Sequence, residues 1–149
     1  MLQGWRSPPA SRRPRPITGH RRFAARREQL SGRFPGDILL IPSGGERQRS
    51  ADTHFRFRPG SDFAYLTGNH EADAVLMLQP AGRGAGHRAV LFVEPNPGTD
   101  DPTFFMDRDK GALWTGPRLG VPESQARYGV DGAESIQDLP KILERLQKR

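Results

Sequence analysis

The 149-residue sequence contains no cysteine, which excludes disulfide bonds, Cys-ligated zinc, iron–sulfur clusters and thiol catalysis. It has no apolar run approaching the ~18 residues of a membrane-spanning helix, and no apolar stretch near its start that would predict a signal peptide. These absences favour a cytoplasmic protein. Hydrophobic residues make up only 34% of the chain, so we expect part of it to lie outside the core.

Positive charge is concentrated at the N-terminal end. Residues 1–27 contain eight arginines and no acid, whereas the other 122 residues carry 15 basic and 17 acidic side chains. Residues 1–19 also hold four prolines and little apolar periodicity, which predicts a disordered basic tail. Such a tail is a solvated extension, a polyanion-binding arm or a targeting peptide, although its prolines oppose a targeting helix. Because the body is slightly acidic, we do not expect it to bind nucleic acid.

The hydrophobic pattern from residue 20 onward predicts an ordered domain. Phe23, Leu30 and Phe34 have helical spacing, and the sequence Pro-Gly-Asp that follows ends the predicted helix. Short strands are predicted at 38–41 and, by alternation, at 54–58.

Two longer apolar runs, at 74–78 and 89–93, are typical of strands that are covered on both faces. The glycine-rich stretch between them predicts a hairpin loop. Pro122 opens and Gly129 closes a predicted short helix. A last helix carries an apolar stripe and has Asp138 as its N-cap and Pro140 in its first turn; the stripe comprises Leu139, Ile142, Leu143 and Leu146. Together these elements predict an α/β domain with a mixed sheet flanked by helices.

Catalytic and metal-binding motifs are scarce. The four histidines are isolated in sequence, and Asp52 with His54 forms at most a two-ligand fragment, whereas catalytic zinc needs three protein ligands. The glycines at 82, 84 and 86 precede a strand rather than a helix, which favours a turn over a phosphate-binding loop. There is no Gly-x-Ser-x-Gly nucleophile motif. We therefore predict no metal site and no catalytic residue in this chain.

Residues 49–68 combine arginine, aspartate and aromatic side chains. An unpaired buried charge is costly, so such a mixture indicates either a structural ion-pair network or a wall that contacts a ligand. The residues alone leave both interpretations open.

The run RSADTHFRFRPGSDFAYLTGNHEADAVLML at 49–78 resembles the signature of the N-terminal domain of the Xaa-Pro aminopeptidase (aminopeptidase P) family. The Arg-rich first helix and ALWTGPRLG at 112–120 are also similar to that family, so the likeness covers about residues 20–146. It implies a ribonuclease-H-like, creatinase-type α/β domain over 20–149, preceded by the tail at 1–19. The domain is expected to be truncated at its C-terminal end.

In the family, a second domain with the pita-bread fold holds two Mn²⁺ ions and cleaves the bond before proline. The resemblance implies that this metallopeptidase domain is absent from the 149 residues, which alone lack the metal ligands. The chain is then the non-catalytic N-terminal domain of an Xaa-Pro aminopeptidase, with its own catalytic domain, further copies of itself and proline-second peptides as partners. The alternative is a freestanding binding module or truncated gene product without aminopeptidase activity, whose tail contacts polyanions.

The resemblance also implies site residues. Trp114, with Arg118 nearby, is expected to wall the substrate pocket of a neighbouring subunit, because a rigid indole packs well against a pyrrolidine ring; the alternative is that Trp114 only anchors its loop. The remaining signature residues are expected to hold the fold and the interdomain surface together; they are Arg49, Asp52, Arg58, Ser61, Asp62, Tyr65, Thr67 and Gly68.

Overall fold

The computed structural model describes residues 14–50, 53–82, 84, 86–96, 102, 106 and 118–148. Its helices are α1 (His20–Arg33), α2 (Ser61–Thr67), α3 (Val121–Tyr128) and α4 (Leu139–Gln147), with a 3₁₀ turn at Ile136–Asp138. Its strands are β1 (Leu39–Pro42), β2 (Gln48–Ser50), β3 (Thr53–His54), β4 (Val75–Pro80), β5 (His87–Val93) and β6 (Gly132–Ser135).

Four strands form a mixed sheet in the order β1-β4-β5-β6, while β2 and β3 form a separate short hairpin. The β1–β4 and β4–β5 pairs are antiparallel, and β5 pairs with β6 in parallel. This arrangement confirms the predicted α/β class, the mixed sheet and the hairpin between the two apolar runs.

The sheet buries both of its faces, because successive side chains along a strand point to opposite sides. On one face, alternate residues such as Leu76, Leu78 and Leu91 belong to a core cluster that includes Phe63 of α2 and Tyr128 of α3. On the opposite face lie the residues between them, Met77, Val90 and Phe92. They pack against three residues of the predicted α4 stripe: Leu139, Ile142 and Leu146. Continuous apolar runs in β4 and β5 therefore follow from two-sided burial.

Helix ends agree closely with the sequence signals. Helix α3 has proline in its first turn and ends at Gly129, whose φ of 58° lies in the left-handed region. Helix α4 starts directly after Asp138, although the Asp138 side chain makes no capping hydrogen bond. The strand predicted at 54–58 is wrong beyond its first residue, because β3 stops at His54 and Phe55 is 56% exposed.

The chain before α1 lies against the domain. The amide of Ile17 donates to the Arg127 carbonyl at 2.9 Å, and the Ile17 side chain packs against the first core cluster. Residues 14–19, which composition assigns to the tail, thus include an apolar anchor, while residues 1–13 of that predicted tail lie outside the described residues. No helix in the described part of the chain is long and apolar enough to cross a membrane.

Candidate functional site

Helix α2 lies at the centre of the signature segment and ends in a tight turn. Gly68 follows its last residue with φ of 67°, a conformation that favours glycine. A Cβ atom there would lie 2.5 Å from both Ile17 Cδ1 and Phe23 Cε2. Gly68 therefore allows the end of α2 to lie close to both the first turn of α1 and Ile17, which precedes that helix.

Two arginines of α1 bind the carbonyl groups at the end of α2. Arg26 donates to the Tyr65 carbonyl at 3.0 Å, and Arg27 donates to the next carbonyl, of Leu66, at 2.9 Å. The last carbonyls of a helix have no partner within the helix and carry partial negative charge, so guanidinium groups satisfy them well.

Arg27 also connects α1 to α3. Its second terminal nitrogen donates to the Gly129 carbonyl at 2.7 Å, and the carboxylate of Asp131 favours its charge. The side chain is buried, and this desolvation lowers the pKa of Arg27 from its ordinary value. Arg27 is thus a structural cross-link between three helices rather than a free cation.

A chain of short hydrogen bonds leads from α2 to Glu71. The Thr67 hydroxyl donates to the Phe63 carbonyl at 2.7 Å and accepts from the Asn69 amide at 3.0 Å. The Asn69 side-chain oxygen then accepts from the Glu71 amide at 2.8 Å. Thr67 and Asn69 are fully buried, so these bonds hold the segment after α2 in one conformation.

Glu71 occupies a polar cluster with the residues that precede α3. Desolvation raises its pKa, while a hydrogen bond with the Leu119 backbone and the charge of Arg118 oppose this effect. The Arg118 carbonyl accepts from the Asn96 side chain at 2.7 Å. Burial, and then the nearby Glu71 charge, raise the pKa of Tyr128. The cluster fixes the backbone at Arg118 and Leu119 by contacts from two other parts of the chain.

The other described signature residues lie at the surface. Arg49, Arg58, Ser61 and Asp62 are exposed, and Tyr65 is 54% exposed. The Arg26 guanidinium stacks on the Tyr65 ring at 3.9 Å from its centre, and Arg49 lies 5.9 Å from the centre of the Phe55 ring. Both contacts are cation–π pairs at the surface.

The predicted site residues therefore divide into groups. Thr67 and Gly68 are internal and hold the end of α2, whereas the exposed residues are spread along the surface from β2 to α2. Arg118 is half-buried and lies beside Glu71. Trp114 and Asp52 lie outside the described residues, so their predicted roles stay predictions.

Sequence reasoning missed several structural residues. Arg27 was one of eight arginines in an acid-free run, and nothing local distinguishes it from its neighbours. Asn69 had a usable signal, since an Asn or Asp directly after a helix-ending glycine often bonds the backbone two residues on.

A second polar pair, missed for the same reason as Arg27, joins α1 to β5. The Ser31 hydroxyl and His87 Nδ1 are 2.6 Å apart, and His87 Nε2 lies 2.6 Å from the Asp37 carbonyl. A neutral imidazole that accepts from Ser31 and donates to Asp37 satisfies both bonds. Both ring nitrogens are thus engaged, in a cavity of about 320 Å³ that Arg27 and Asp131 also line. Within the described ranges no group of three or more acidic or histidine side chains could hold a metal ion.

These features define an α/β domain with a mixed sheet. Buried polar contacts hold part of its signature segment, and the other described signature residues are exposed. Comparison with known proteins gives its family: the model of the aminopeptidase P N-terminal domain matches residues 23–149. The chain belongs to this family.

Its relatives are longer enzymes. Xaa-Pro aminopeptidase 1 of Streptomyces coelicolor is 40% identical over 128 residues, covering 86% of this chain and 25% of the relative. Xaa-Pro aminopeptidase of Escherichia coli is 32% identical over 126 residues, covering 83% and 26%. A variant of Escherichia coli aminopeptidase P solved in complex with substrate has a TM-score of 0.72 at 32% identity, over 88% of this chain and 27% of that one. The chain therefore spans about a quarter of the length of the relatives it matches.

Proposed function

We propose that this chain is the non-catalytic N-terminal domain of a manganese-dependent, cytoplasmic Xaa-Pro aminopeptidase. In this role it supports oligomerisation and walls the substrate pocket of a neighbouring subunit. The observation that carries the proposal is the family match over residues 23–149.

The metal chemistry belongs, in this proposal, to the part of the relatives that the chain does not cover. Two metal ions there would activate a water molecule for attack on the peptide bond before proline. The described residues of this chain offer no cluster that fits such a pair. The purified chain with added Mn²⁺ should therefore release no N-terminal residue from an Xaa-Pro peptide, and turnover that EDTA abolishes would refute this assignment.

The pocket-wall role rests on Trp114 and is supported by the cluster around Arg118. Arg118 follows Trp114 by four residues, and its carbonyl is bonded to Asn96 while its charge faces Glu71. A fixed attachment point at Arg118 would lower the ordering cost of a contact between the preceding segment and a substrate bound elsewhere.

A chimera tests both parts of the proposal. This chain would replace the matching quarter of the Escherichia coli enzyme, and cleavage of an Xaa-Pro peptide would be measured with Mn²⁺. We expect the chimera to be active, and Trp114→Ala to raise KM several-fold with a smaller effect on kcat, because a wall contact acts on substrate binding. Trp5→Ala changes the only other tryptophan and should leave both constants unchanged. Equal kinetics for the two variants would exclude the pocket-wall role while leaving the domain assignment intact.

A further inference from the structure

Asn96 and Arg118 are 22 positions apart in the sequence and meet in the structure. The Asn96 side-chain amide donates to the Arg118 carbonyl, with 2.7 Å between nitrogen and oxygen. The chain remains close to Asn96 two residues later, because a Cβ atom at Gly120 would lie 2.9 Å from the Asn96 Cβ. Gly120 also has a φ of 82°, in the left-handed region that favours glycine. The missing side chain at Gly120 therefore lets Asn96 approach this backbone.

The core holds the chain on both sides of this bond. Asn96 follows β5 by three residues, and Val93, the last residue of β5, is fully buried. Arg118 comes just before Leu119 and Val121, which pack against the first core cluster. A hydrogen bond between two points that are already fixed orders few further degrees of freedom, so its cost in conformational entropy is small.

The residues beside Asn96 restrict how it presents its amide. Asn96 lies between Pro95 and Pro97 in the sequence. A proline fixes its own φ and confines the residue before it to extended conformations. The Asn96 backbone therefore has few alternatives, and its short side chain keeps the amide near the Arg118 carbonyl.

This bond acts locally rather than on the stability of the whole fold. Asn96 is exposed and Arg118 is half-buried. An exposed hydrogen bond is exchanged for one with water at little net free energy, so its removal should leave the core intact. It fixes the backbone at Arg118, as the contact of Glu71 with the Leu119 backbone does one residue later.

We propose that Asn96 is a positioning residue, which holds the Arg118 carbonyl and thereby places the Arg118 side chain at the substrate pocket of the assembled enzyme. The inference rests on the proposed function, in which Arg118 accompanies Trp114 at that pocket. Side chains that contact a substrate need supporting bonds from neighbours to keep a productive geometry. Asn96 itself touches no substrate in this proposal, so its replacement weakens substrate binding through Arg118.

The test uses the chimera with the Escherichia coli enzyme and measures KM and kcat for an Xaa-Pro peptide with Mn²⁺. Asn96→Ala should raise KM about fivefold and change kcat by less than about twofold, because the lost bond acts on substrate binding. Asn96→Asp keeps the size but lacks the amide donor, and should raise KM at least as much. A merely structural role would lower the fraction of folded enzyme, which reduces kcat and leaves KM unchanged. Adding Asn96→Ala to Arg118→Met should raise KM no further, since Asn96 acts through Arg118.

Gln125→Ala is the matched control. Gln125 is exposed, and its side-chain amide donates to the Asp131 carbonyl at 3.3 Å, at the other end of α3 from Arg118. Its replacement removes the same kind of bond and should leave KM unchanged, and circular dichroism would confirm that every variant is folded. A second measurement needs no catalysis: in the 149-residue chain, hydrogen exchange of the Leu119 amide should be about fivefold faster in Asn96→Ala than in Gln125→Ala.

Each outcome bears on the proposal. An unchanged KM for Asn96→Ala in an active chimera would overturn the positioning role, as would equal exchange rates in the two variants of the free chain. Independent effects of Asn96→Ala and Arg118→Met on KM would also overturn it, because Asn96 would then not act through Arg118. An unaltered chimera that is inactive would overturn the proposed function and this inference with it. The two failures are distinguishable, since failure of the inference alone is seen only in the variants.

Discussion

Replacing Arg27 by methionine tests whether the buried guanidinium cross-links the helices. The substitution keeps the length and apolar stem of the side chain but removes the donors to the Leu66 and Gly129 carbonyls. Each carbonyl left without its partner costs about 1–3 kcal/mol. Methionine avoids the desolvation of a cation, which offsets part of this loss. We expect the free energy of unfolding to fall by about 2–4 kcal/mol.

Urea denaturation followed by circular dichroism measures this change. Arg22→Met is the control, because Arg22 is exposed on the same helix, and its substitution should change stability by no more than about 0.5 kcal/mol. Arg27→Lys should give an intermediate loss, since an ammonium keeps the charge but lacks the planar fork that reaches two carbonyls. If Arg27→Met and Arg22→Met lose the same stability, the cross-link contributes nothing and the reasoning is wrong.

Two further predictions concern Gly68 and Glu71. Gly68→Ala should destabilise the protein by about 1–3 kcal/mol more than Gly36→Ala, because both glycines have positive φ but only a Cβ at Gly68 meets Ile17; equal losses in urea denaturation would contradict that contact. The raised pKa of Glu71 means that the folded state holds its proton more tightly, so the stabilisation is present at low pH and lost as pH rises through the folded pKa. Glu71→Gln still accepts a hydrogen bond from Leu119 but does not ionise. The decrease of the melting temperature with rising pH, measured upward from about pH 4, should therefore be smaller in this variant. If the melting temperature depends on pH equally in the variant and the unaltered chain, another group causes that dependence.

The strongest sequence predictions were those in which local pattern and tertiary environment agree. The runs at 74–78 and 89–93 became β4 and β5 because both faces of these strands are covered. Helix α3, at Val121–Tyr128, lies within one residue of its predicted bounds, because proline fits its first turn and Gly129 adopts the left-handed conformation after its last residue.

Elements with weak local patterns were not predicted. Helix α2 has only seven residues, and its end is held by Arg26 and Arg27 from α1. Strand β6 reads Gly-Ala-Glu-Ser, which has no apolar run, and its place in the sheet follows from parallel pairing with β5. Both elements depend on partners distant in sequence, which a local pattern does not contain.

Contacts distant in sequence also limited the prediction of the candidate site. They divide the signature residues into internal ones and exposed ones. Thr67 and Gly68 are explained by folding alone, because each makes contacts that hold the end of α2. Asp62 and Tyr65 are only three residues apart in the same helix, yet both remain exposed and line a groove beside β1. Tyr65 contacts the stacked guanidinium of Arg26. Burial within the described part of this domain does not account for Asp62 and Tyr65, so their role at an interdomain surface stays a prediction.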